Sequence, residues 1–182
     1  MRILCYGDSN TFGYDPRSFF GGRYPRVWTD LLAEKTGCEV LNLGQNGREI
    51  PRRERDIAYA AEVIRESRAD LLIVMLGSND LLLGADAAEA ARRMEGFLGS
   101  VGMEMKDILL VSPPHMQYGE WVTEEKILQE SRKLAREYRA LADRLGLGFA
   151  DAEEWQMPVA YDGVHLSEAA QGIFAERVSK RI

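Results

Sequence analysis

The sequence is poor in the residues that build metal centres and covalent frameworks. Its 182 residues include only two cysteines, Cys5 and Cys38, and two histidines, His115 and His165. Neither a zinc site nor a disulfide scaffold can be assembled from so few, widely spaced ligands. Both cysteines fall in or beside apolar stretches and read as small buried hydrophobes of a reducing compartment. There is no excess of positive charge: the net charge is -6, which argues against nucleic acid or an anionic membrane as partner. The one arginine-rich run, Arg48, Arg52, Arg53 and Arg55, alternates with Glu49, Glu54 and Asp56 and reads as a solvated helix face. No apolar run reaches membrane length. The opening MRILCYGDSN turns polar too soon for a signal peptide, so the expected location is cytoplasmic. Repeats, low-complexity tracts and linkers are also missing, and residues 1–182 read as one domain.

What is present is an alternation of short apolar runs with amphipathic segments. Strands are expected at Ile3–Cys5, Glu39–Leu43, Asp70–Leu76, Asp107–Val111 and Leu147–Ala150. Helices are expected over about 26–35, 51–67, 86–98, 123–145 and 167–180, the second with Pro51 as its first residue. Runs such as DLLIVML suit parallel strands covered on both faces. Five strand–helix alternations mean an α/β fold with a mostly parallel sheet, of order 2-1-3-4-5 or 3-2-1-4-5-6.

The strand ends carry the chemistry. The first strand stops at Gly7 and is followed by Asp8, Ser9, Asn10 and Thr11. The second stops at Gly44 and the third at Gly77-Ser78-Asn79-Asp80. In an open parallel sheet ligands bind beyond the carboxyl ends of the strands. If Ser9, Gly44 and Asn79 share one site, the first strand must lie between the other two, which selects 2-1-3-4-5. A serine nucleophile needs a base and donors for the oxyanion. Asp162-Gly163-Val164-His165 places an acid three residues before a histidine, close enough to set its tautomer. Gly44, Asn79 and the Ser9 N–H are the expected donors, with Gly47 a rival to Gly44.

Taken together, Gly7-Asp8-Ser9-Asn10, Asn42-Leu43-Gly44, Gly77-Ser78-Asn79-Asp80 and Asp162-Gly163-Val164-His165 resemble the four signature blocks of the SGNH (GDSL-like) hydrolases, in family order and across the chain. Thr11-Phe12-Gly13 and Val111-Ser112-Pro113-Pro114 look most like the arylesterase and acyltransferase branch. The resemblance implies a flavodoxin-like three-layer fold and ester hydrolysis through an acyl-enzyme. It carries Ser9, Asp162 and His165 over as triad, and Gly44 and Asn79 as oxyanion donors. It implies a small-molecule ester as partner and no metal or organic cofactor. Asp8, Asn10, Val164 and His115 are candidates for the substrate pocket, with a surface or packing role favoured for His115. Asp8 and Asp80 are expected to bind backbone N–H groups of their own loops. Phe19, Phe20, Tyr118 and Trp121 are candidates for pocket walls or for a homo-oligomer interface. Two other readings compete: a flavodoxin-like protein binding a flavin phosphate, and a catalytically silent carbohydrate-binding relative. The flavin reading leaves Asp162 and His165 without a task, and neither protein would label with a fluorophosphonate.

Overall fold

The computed structural model describes residues 1–182. Five parallel strands form one sheet: β1 (Arg2–Gly7), β2 (Glu39–Gly44), β3 (Leu71–Met75), β4 (Ile108–Ser112) and β5 (Gly148–Asp151). Their order is β2-β1-β3-β4-β5, the flavodoxin-like arrangement that a shared site for Ser9 and Asn79 requires. β1 is central and pairs Gly7 with Gly44 on one side and with Met75 on the other. The strand ends that carry the motifs are therefore neighbours.

Alternation along the strands sends apolar side chains to both faces. Leu4, Tyr6, Leu72, Val74 and Leu110 face one core, and Ile3, Cys5, Ile73, Met75 and Val111 the other. The helices α3 (Glu54–Ser67), α5 (Ala87–Leu98) and α6 (Glu125–Leu145) cover the first through Ile64, Phe97, Leu134 and Tyr138. The helices α2 (Trp28–Thr36) and α7 (Glu168–Ser179) cover the second through Trp28, Leu32, Phe174 and Val178. This two-sided burial is why the strands read as unbroken apolar runs. Two short helices, α1 (Ser9–Phe12) and α4 (Ser78–Leu82), follow β1 and β3 directly and carry Ser9 and Asn79. No helix is long and apolar enough to cross a membrane. Cys5 and Cys38 are both free.

Three helices, α2, α3 and α6, start two or more residues further along the chain than the sequence suggests, α2 at Trp28 rather than about 26. α3 begins at Glu54, not at Pro51, which is buried in the preceding loop. The Ile50 N–H is held by Asp80 Oδ2 at 3.0 Å, and the Arg48 carbonyl by Asn79 Nδ2 at 3.0 Å. These tertiary bonds keep the backbone extended where Pro51 alone would start a helix. α6 begins at Glu125 because Glu124 is extended and Gly119 and Val122 close a turn on each other just before it.

Candidate active site

At the end of β1 the chain turns straight into α1. Asp8 is the N-cap, its side chain accepting from the Asn10 N–H at 2.9 Å. Ser9 is thus the first residue of the helix, where N–H groups have no partner four residues back. Its hydroxyl meets His165 Nε2 at 2.8 Å, and His165 Nδ1 meets Asp162 Oδ2 at 2.6 Å. The other Asp162 oxygen accepts from the Val164 and His165 N–H groups at 2.9 and 3.0 Å. Burial alone would raise the Asp162 carboxyl, but the bonds from the His165 ring and these two N–H groups hold it below the ordinary carboxylate range. The carboxylate is therefore charged and fixed, with Nδ1–H of His165 as its donor and Nε2 left to accept from Ser9. Asp162 and His165 are 1 % and 2 % exposed while Ser9 keeps 7 %, so an incoming molecule meets the serine first.

Two aromatic rings lie against His165. Tyr14 lies with its centroid 4.6 Å away, and Trp121 stands edge-on at 5.0 Å. Trp121 is brought there by a strap, residues 117–122, laid along the 160–163 segment. Its N–H donates to the Asp162 carbonyl at 3.1 Å, and the Gln117 N–H to that of Gly163 at 2.9 Å. Contact is so close that a Cβ on Gly119 would stand 2.3 Å from the Asp162 carbonyl carbon. Trp121 is thus a wall of the site, as one of the two sequence readings had it. Phe19 and Phe20 stack on each other and are 93 % exposed, so they pack against nothing within the chain.

Asn10, Val164, Asp8 and His115, read from sequence as pocket candidates, lie elsewhere or face inward. Asn10 is buried and staples two segments: its Nδ2 donates to the Val164 carbonyl at 3.2 Å and its Oδ1 accepts from the Leu166 N–H at 2.7 Å. It thereby ties the Asp162–His165 loop to the helix of Ser9. Val164 is part of the apolar core. Asp8 is buried, and burial pushes its carboxyl up to about 6 against the pull of the Asn10 N–H, His165 and Arg48. Its Oδ2 has no hydrogen-bond partner. His115 is half-buried; burial and nearby Arg132 lower its imidazole. It makes no hydrogen bond to Ser9, Asp162 or His165. Asp80 does bind a backbone N–H, but that of Ile50 rather than of its own loop, and it also accepts from Arg93 at 2.7 Å.

The two glycines after β2 have different tasks. The Gly44 N–H already donates to Asn42 Oδ1 at 2.8 Å. A Cβ on Gly44 would lie 2.0 Å from the Phe12 backbone nitrogen, so this glycine is there to let α1 press onto β2. Gly47 has φ +74° and open space around its Cα, and its N–H makes no hydrogen bond in the chain. The carbonyl of the next residue, Arg48, accepts from Asn79 Nδ2, which ties the Gly47 loop to Asn79. The sequence expectation of Gly44 as donor is corrected accordingly: its N–H is spoken for, and that of Gly47 is not.

Arg48 is the residue that sequence reasoning missed. Arg52, Arg53 and Arg55 are exposed, as a solvated face requires, but Arg48 is half-buried under the ends of β1 and β2. Only the alternating charge run marked it in the sequence, and that pointed to solvent. Three main cavities indent the surface, of about 510, 410 and 270 Å³, and none is lined by Ser9, Asp162 or His165.

Comparison with known proteins agrees with this geometry. The family model described as GDSL-like Lipase/Acylhydrolase matches residues 5–173. A carbohydrate acetylesterase family member from Sinorhizobium meliloti superposes with a TM-score of 0.83 at 27 % identity, over 98 % of this chain and 95 % of that one. The native M. smegmatis aryl esterase superposes at 0.80 with 28 % identity, over 100 % and 99 %. Its inhibitor-bound form gives 0.84 and 26 % over the same shares. No curated protein matches the chain by sequence.

Proposed function

The chain belongs to the GDSL-like lipase/acylhydrolase family, and from that premise we propose that it is a serine esterase for short-chain acyl esters of sugars, alcohols or aryl groups. One observation carries the reading: the unbroken hydrogen-bond chain Ser9–His165–Asp162 at 2.8 and 2.6 Å. Ser9 Oγ attacks the ester carbonyl while His165 Nε2 takes its proton. Asp162 holds the imidazole in the required tautomer and stabilises the imidazolium that forms. The negative charge moves to the carbonyl oxygen, which the Ser9 N–H, the Asn79 amide and the Gly47 N–H receive. His165 then gives its proton to the departing alcohol, leaving the acyl group on Ser9. Water, activated by the same imidazole, repeats the sequence and frees the acid. No step calls for a metal or an organic cofactor. The two free cysteines, one deep inside the sheet, suit a reducing, cytoplasmic setting.

The short-acyl preference is supported by the three main cavities not reaching Ser9 and by the names of the similar structures, an aryl esterase and a carbohydrate acetylesterase. Each methylene of an acyl chain contributes about 0.8 kcal/mol only if it is buried. A p-nitrophenyl ester series from acetate to palmitate, each below its micelle limit, tests this. The expected kcat/KM is highest from acetyl to butyryl and falls beyond. A rate climbing to octanoate would overturn the short-acyl reading while leaving the triad in place.

A further inference from the structure

Arg48 touches the end of β1, the end of β2 and Asn79. β1 and β2 stay paired as far as Gly7 and Gly44. Past that point the Gly7 carbonyl accepts from the Gln45 N–H at 3.1 Å and from Arg48 Nη1 at 2.8 Å. The same Nη1 donates to the Leu43 carbonyl, and Nη2 to Gln45 Oε1 at 3.0 Å. The guanidinium lies over the buried Tyr6 ring, 4.1 Å from its centroid. The backbone of Arg48 is occupied too: its N–H donates to the Gln45 carbonyl at 3.1 Å, and its carbonyl accepts from Asn79.

We infer that Arg48 is a positioning residue, clamping the Gly47 loop and Asn79 at a fixed distance from Ser9. The inference rests on the esterase reading above. Its physical basis is that the carbonyls at the ends of β1 and β2 have lone pairs to spare beyond the backbone ladder. A planar fork with several N–H donors can bridge them while its face stacks on Tyr6. A lysine ammonium has three donors but all on one atom, with no planar fork to reach Gln45 separately while stacking on Tyr6. Oxyanion donors act only when held where the charge develops, and a misplacement of about 1 Å can cost about 10²-fold.

The test is kcat for p-nitrophenyl acetate in R48A and R48K, counted per active site by fluorophosphonate titration. R48A is expected to lower kcat per titrated site about 10- to 100-fold with KM changed less than about threefold. R48K is expected to fall between R48A and wild type. In the Asn79→Ala background the same R48A change should cost less than it does in the wild-type background, because one of the two donors it positions is gone. Added guanidinium ion should restore part of the R48A rate. A merely structural arginine would lower the melting temperature and leave kcat per titrated site unchanged. That result overturns the inference, as does a full loss on top of Asn79→Ala. Should R48A not fold, R48K decides on the same criteria. A wild-type protein that neither labels nor hydrolyses would refute the esterase reading itself, an outcome separate from either variant's behaviour.

Discussion

Replacing His165 by alanine is expected to lower kcat for p-nitrophenyl acetate by about 10⁴-fold or more, whereas His115→Ala should leave it within about twofold. With only two histidines in the chain, the pair of variants is a clean contrast. His165 Nε2 is the only imidazole nitrogen at hydrogen-bond distance from Ser9, and its Nδ1 is anchored on a buried carboxylate. Without it the serine hydroxyl has no base and is almost entirely protonated at neutral pH. The remaining rate comes from binding and from the oxyanion donors alone. An inactive His115→Ala with an active His165→Ala would reassign the base.

The second large effect concerns Asn79. Asn79→Ala is expected to lower kcat by about 10²–10³-fold, the scale of one preorganised oxyanion donor. KM should change little, since the donor matters most once charge has moved to the carbonyl oxygen. The amide spends one N–H on the Arg48 carbonyl and has a second to give. Asn79 is half-buried at the start of α4, away from the two apolar cores, so the variant should fold and melt near wild type. A kcat unchanged within twofold would remove Asn79 from the site.

The strands and the Asp162–His165 pairing were legible because their signals are local, whereas the strand order followed only from requiring Ser9, Gly44 and Asn79 to share one site. Apolar runs bounded by glycine and small polar residues mark the strands, and Asp162 and His165 sit in one tight turn. What stayed hidden depends on direction and on packing at long range. Gly44 and Gly47 are the same residue type three positions apart, and only the approach of Phe12 to Gly44 and the +74° φ of Gly47 separate a packing glycine from a donor. Asp8 and Asn10 flank Ser9 in sequence, yet the helical turn of α1 carries them inward, where Asn10 holds the loop of His165. Arg48 stands in a charge run that looks solvated until β1 and β2 converge over it. Pro51 would start a helix on local grounds, and the bonds from Asp80 and Asn79 around it prevent that.

The most direct test of Ser9 as nucleophile is fluorophosphonate labelling of the intact protein followed by peptide mass spectrometry. One adduct per chain on the peptide containing Ser9 is expected, with labelling abolished in Ser9→Ala and greatly slowed in His165→Ala. An adduct on any other residue, or none on folded wild-type protein, would contradict the account.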